Sequence, residues 1–189
     1  MKDKLSEGFN FKLIKHYDVA ELVDIVSKFN TEWKLDTSRQ SQKNGAHQNT
    51  NTYYVKSFST SWMEGDKLTV FPLANNVQVL KIVNKICDDL EKIHNGKCAI
   101  AMIVKLLPDS DIDPHQDDTE YLGLTRRHHI PLQTNSNVFF HVGSEKINMK
   151  VGECWEINNS KVHFVENNSI EDRVHLIIDI MPNHFIGGK

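Results

Sequence analysis

From Cys98 onward the chain changes its period, and this limits what it can fold into. CAIAMIVKLL, LGLTRRHHIPL, NVFFHVG, INMKV, GECWEIN, VHFVEN and DRVHLIIDIM are short runs rich in β-branched and aromatic residues. Turn residues separate them: Asn135 to Asn137, Gly143-Ser144, Asn158 to Ser160, and Asn167 to Ser169. Strands this short cannot bury a face alone, so a series of them folds by closing into a sandwich or barrel.

Upstream the pattern is helical. Val19, Leu22, Val23 and Val26 make an apolar stripe behind Asp18, a residue type that caps helices, and predict a helix to about Phe29. Asn76 opens a second helix, with Leu80, Val83, Ile86, Cys87, Leu90 and Ile93 on its buried face and Gly96 as the left-handed stop after Asn95. A strand is expected at about Thr52 to Phe58, after a long polar loop over residues 36 to 51. No repeat or linker divides the chain. It is expected to be one domain, 1–189, with a helical flank to about residue 97 and a β core over about 98–182. The class is mainly β with flanking helices, a sandwich with the helices along one side.

At 189 residues with 39% hydrophobic and 25% charged side chains, the composition is globular. The net charge is −3, and only Arg39, Arg126, Arg127 and Arg173 are arginines, which argues against nucleic acid as a partner. No apolar run is long enough to span a bilayer. The opening MKDKLSEGFNF lacks the apolar stretch of a secretion signal, and Cys87, Cys98 and Cys154 show no paired spacing, so a cytoplasmic location is expected.

Seven of the ten histidines fall at or after His115, which puts the chemistry in the second half. In DPHQDD, residues 113 to 118, strand alternation sends His115 and Asp117 to one face, roughly 6.5–7 Å apart, and Asp118 to the other. By itself that hexapeptide also reads as a solvated turn. A distant His163, in NNSKVHFVEN, completes a 2-His-1-carboxylate set of the kind that holds non-heme Fe(II). Three ligands on one face leave the remaining positions for a bidentate co-substrate and O₂. Arg173 stands among apolar neighbours on a core strand and must find an anion. It either pairs with Asp172 or Glu171, or offers its planar fork to the distal carboxylate of 2-oxoglutarate.

LLPDSDIDPHQD, RRHHIPL, VGECWEINNSKVHFVEN and DRVHLIIDI, in this order, resemble the aspartyl/asparaginyl β-hydroxylase family of Fe(II)/2-oxoglutarate dioxygenases, which includes bacterial proline hydroxylases. The resemblance runs from about Ala99 to Pro182 and is weaker upstream. It implies a double-stranded β-helix, a jelly-roll or cupin-like sandwich whose open mouth holds the iron. It implies His115, Asp117 and His163 as ligands, Arg173 as the clamp on 2-oxoglutarate, and Arg127 and His129 beside the co-substrate. Trp62 lies where some relatives place a tryptophan near 2-oxoglutarate. The implied reaction is hydroxylation of a C–H in an amino acid or amino-acid residue, with release of succinate and CO₂.

The carboxylate Asp117 leans toward the branch that includes amino-acid hydroxylases. The β pattern runs nearly to the end of the chain, without the C-terminal helical segment of larger free-proline hydroxylases. The polar loop over 36–51 is therefore expected to cover the site, with Arg39 or His47 contacting substrate. His175 shares a face with Arg173 and is either a satisfied core histidine or a substrate contact. Trp155 and His141 are expected to be structural. The rival function is a cupin-like metal-binding or ligand-sensing protein without turnover, and Arg173 discriminates, because a structural metal site needs no anion clamp.

Overall fold

The computed structural model describes residues 8–41, 45–59, 68–117, 119 and 121–186. Among the described residues, eleven strands form two antiparallel sheets. The major sheet has the order β1-β9-β6-β11-β4-β2-β3, where β1 is Phe11–His16, β9 Glu153–Ile157, β6 Arg126–Gln133, β11 Arg173–Pro182, β4 Gly96–Leu106, β2 Thr50–Phe58 and β3 Val70–Pro72. The minor sheet is β5-β10-β7-β8, comprising Ser110–His115, His163–Asn167, Val138–Val142 and Glu145–Ile147. This is the expected double-stranded β-helix.

Alternation along β11 builds both cores. Val174, Leu176, Ile178 and Ile180 pack with Leu22, Val83 and Leu90 of two helices, α1 (Ala20–Val26) and α2 (Val77–His94), on the outer face of the major sheet. Arg173, His175, Ile177 and Asp179 alternate with them and so face inward. Leu106, Ile112, Phe140, Val142, Ile157 and Val165 fill the space between the sheets. The helices therefore stiffen the wall from which the site's polar residues project.

Several details depart from expectation. The segment before residue 98 is more than a helical flank, because β1, β2 and β3 extend the major sheet on both edges. α1 is shorter than its stripe suggests, and Asp18 accepts only from the Ala20 amide at 3.1 Å. In α2 the capping residue is Asn76, as read, and its side chain accepts from the amides of Gln78 and Val79. Val79 is buried there while Ile93 is 46% exposed. The left-handed residue that ends α2 is Asn95 (φ 47°), and Gly96 already belongs to β4. INMKV contributes to a strand only through Ile147. Among the described residues no helix is long and apolar enough to cross a membrane.

Candidate metal centre and co-substrate pocket

The candidate metal centre forms where β5 meets β10. His115 closes β5 and His163 opens β10, and the antiparallel register sets them opposite each other, their rings 4.3 Å apart. Asp117 lies two residues beyond the strand, so strand alternation does not aim it. Its amide donates to the Asn159 carbonyl at 3.1 Å, tying it to the turn that precedes His163. Asp118 lies outside the described residues.

Both imidazoles are set to ligate. His115 Nδ1 donates to the Asp113 carbonyl at 2.7 Å and His163 Nδ1 to the Lys161 carbonyl at 2.9 Å. Each hydrogen bond fixes the proton on Nδ1 and leaves the Nε2 lone pair free. The two Nε2 atoms each lie 3.9 Å from a different oxygen of Asp117. One ligand atom from each residue lies within 4.8 Å of the others. Burial pulls His163 down to about 4, so its ring is neutral at physiological pH. Burial pushes the Asp117 carboxyl up, but Arg127 and the two imidazoles outweigh it and hold it below the usual carboxylate range. Two imidazoles and one carboxylate on one side of a point suit Fe(II) with open positions.

Behind Asp117 stands Arg127. Its Nη1 donates to Asp117 Oδ2 at 2.6 Å, and its Nε and Nη2 fork onto the two oxygens of Asp179, each at 2.8 Å. The resemblance implies a place for Arg127 beside the co-substrate. The structure instead commits its guanidinium to two carboxylates, and it orients the candidate ligand from the rear. Asp179 was not singled out in the sequence. The available signal was a carboxylate inside the apolar run HLIIDIM, which demands a buried cation as partner.

Arg173 opens β11 and is 1% exposed. Its Nη2 donates to His175 Nδ1 at 2.7 Å, while Nε and Nη1 have no partner among the described residues. Neither acidic neighbour takes it: Asp172 pairs with Lys105 at 3.3 Å, and exposed Glu171 accepts from Asn135. Burial without a counter-charge pulls the guanidinium down to about 9. His175 Nε2 and both nitrogens of His129 are likewise buried and without a partner among the described residues. The ring of Phe140 joins this group to the metal centre. It lies 5.8 Å from Arg173 Cζ, 4.8 Å from the His129 ring and 6.3 Å from the His163 ring, nearly parallel to the last. Phe140 was also missed, because a phenylalanine in a β run reads as core.

The polar loop reaches the same region. The His47 ring packs edge-on against His115 at 5.0 Å, and burial with nearby cations lowers it to about 3. Half-buried Arg39 places Nη1 3.3 Å from Met102 Sδ on β4. Residues 42–44 of this loop, and Trp62, lie outside the described residues. Trp155 packs against Phe11, and His141 pairs with Glu166 at 2.9 Å, both structural roles.

The family model of aspartyl/asparaginyl β-hydroxylases matches residues 20–182. No curated protein matches the sequence. Among solved structures, an oxidoreductase of the 2OG-Fe(II) oxygenase family from Burkholderia pseudomallei superposes with a TM-score of 0.63 at 13% identity, over 95% of this chain and 86% of that one. A viral collagen prolyl hydroxylase from Paramecium Bursaria Chlorella virus-1, in a 2OG complex, gives 0.59 at 10% identity, over 94% and 99%. A Trichoplax adhaerens prolyl hydroxylase, bound to a peptide of the hypoxia inducible factor oxygen degradation domain, gives 0.60 at 11%, over 93% and 85%. At these identities the structures share the fold, and the family match carries the assignment. The chain belongs to the aspartyl/asparaginyl β-hydroxylase family and is a 2-oxoglutarate-dependent hydroxylase using Fe(II) and O₂.

Proposed function

We propose that this hydroxylase acts on a C–H of an amino acid, free or presented in a peptide, with His115, Asp117 and His163 holding the iron. The observation that carries the site assignment is the buried Arg173, whose Nε and Nη1 have no partner among the described residues. A buried arginine without a carboxylate is costly, and a dicarboxylate co-substrate removes that cost. His175 accepts from Arg173 through Nδ1, so its Nε2 carries a proton and is a further donor beside the fork. With iron and 2-oxoglutarate bound, the centre supplies oxidation of an unactivated C–H, releasing succinate and CO₂. The chain orients the co-substrate by one end, holds Asp117 ionised through Arg127, and excludes water with Phe140 and the surrounding strands.

Substrate enters past the polar loop, where Arg39 and His47 stand at the rim and Arg39 is the cation offered to a carboxylate. Two of the similar structures are prolyl hydroxylases, one of them with a peptide, which supports an amino-acid residue as substrate. The three cysteines are buried free thiols, in keeping with a reducing cytoplasm. The test is to add O₂ to the Fe(II) protein with 2-oxoglutarate and screen amino acids and short peptides for succinate release and a hydroxylated product. Arg173→Lys keeps the charge and loses the fork, so 2-oxoglutarate affinity should fall about 10- to 150-fold with iron still bound. An unchanged affinity would remove Arg173 from the co-substrate site and favour a metal-binding protein without turnover.

A further inference from the structure

On the opposite face of the major sheet, two histidines and a glutamate converge where the established chemistry has no use for them. We propose that His94, His128 and Glu156 form a second site that binds a transition-metal ion, Zn(II) in character, beneath the end of α2. One ligand atom from each lies within 4.8 Å of the others. They come from three elements: His94 ends α2, His128 lies on β6, and Glu156 on β9 is paired with His128 across the sheet. Alternation along β6 points Arg127 and His129 to the iron side and His128 to the helix side, so the sheet separates the two centres.

His128 is poised to ligate. It is fully buried, and its Nδ1 faces the Ile178 carbonyl at 3.3 Å. A proton on Nδ1 leaves the Nε2 lone pair directed at His94, the same arrangement that prepares His115 and His163. His94 Nε2 lies 2.9 Å from His128 Nε2. Two nitrogens bound to one zinc at about 2.0–2.1 Å stand roughly 3.3 Å apart in a tetrahedron, so a shift of a few tenths of an ångström suffices. His94, at a helix end and only half-buried, can make that shift.

Without an ion, the His94–His128 contact is an ordinary N–H···N hydrogen bond, and it leaves the cluster incomplete. Glu156 is fully buried, one oxygen accepts from Arg126 at 2.7 Å, and the other has no partner among the described residues. An unpartnered buried carboxylate oxygen is costly, and a coordinated cation satisfies it. When the ion binds, the His94 proton moves from Nε2 to Nδ1, so no proton is lost overall. Arg126 already balances the charge of Glu156. Attraction for the ion therefore comes from coordinate bonds to imidazole, which excludes Mg(II) and Ca(II) and selects zinc-like ions. Half-exposed His94 is the side from which the ion enters.

Metal-free protein dialysed against Zn(II) and analysed for bound metal tests the site. Wild type should bind two equivalents per chain. The His115→Ala/His163→Ala protein, which lacks the iron site, should retain one. His94→Ala, a substitution at a half-exposed helix end that leaves the sheet intact, should retain one in the wild-type background and none when combined with His115→Ala/His163→Ala. Glu156→Gln should weaken the second equivalent at least tenfold. A His115→Ala/His163→Ala protein that binds no Zn(II) would overturn the proposal, as would a His94→Ala protein that still binds as much as wild type.

Discussion

Arg127 shows how one side chain can link a candidate ligand to the core. It is the partner of Asp179, which is fully buried, and of Asp117, the candidate carboxylate ligand. Arg127→Lys keeps one charge and cannot span both carboxylates, so Asp179 is left short of a partner in a dry environment. The expected loss is about 3–5 kcal/mol of stability, read as a shift in the denaturant midpoint. Iron affinity should fall about 10- to 100-fold in the folded fraction, because Asp117 loses the group that orients it. A stable Arg127→Lys protein with normal iron affinity would contradict this role. The convergence of His115, Asp117 and His163 was legible in the residues themselves, since His-x-Asp and a later histidine are donor types at a meaningful spacing, and so was the need of Arg173, an arginine in an apolar strand, for an anion. The partnership of Arg127 with Asp179 was not, since it depends on the β6–β11 register, which no local pattern fixes.

Elements follow the same division. α2 was legible from its stripe and its Asn76 cap, because both are local. β1 was not, since FKLIKH carries two lysines, lies at the sheet edge and hides only part of one face. The junction of α2 with β4 shows a subtler limit. Glycine next to a helix end suggests a left-handed stop, but Asn95 adopts that conformation and Gly96 serves another purpose. A Cβ at Gly96 would lie 2.5 Å from the Met181 carbonyl oxygen and 2.7 Å from Ile180 Cγ2, where β4 and β11 approach each other. Gly96→Ala should therefore destabilise the protein by about 1–3 kcal/mol through forced separation of those strands. Asn95→Gly should be neutral or slightly stabilising, since glycine takes a positive φ freely. Urea unfolding of both variants decides the matter, and the reverse ranking would return the stop to Gly96.

Across the whole molecule, the sandwich was legible because many short strands with turn residues between them leave few other ways to bury a core. What composition could not reveal is how many polar groups the fold encloses. His128, His129 and His175 are all buried, and burial holds each imidazole below its ordinary range, His128 at about 3. In the unfolded chain each titrates near about 6.5. Below that pH the unfolded chain takes up protons that the folded chain refuses. Stability of the metal-free protein is thus fully present above about pH 6.5 and declines as the pH falls. Each histidine contributes a slope of up to about 1.4 kcal/mol per pH unit, so three together contribute on the order of 4. Glu156, whose carboxyl burial raises, works in the opposite sense but is a single group. Because a domain of ordinary stability holds only about 5–15 kcal/mol, unfolding is expected well above the pH at which most carboxylates protonate. The measurement is the urea midpoint of metal-free protein between pH 7.5 and 5, with His175→Gln as the control that should flatten the slope by about one proton. A midpoint independent of pH over that range would mean that these rings are not enclosed in neutral form, His129 and His175 on the inner face of the major sheet and His128 beneath α2.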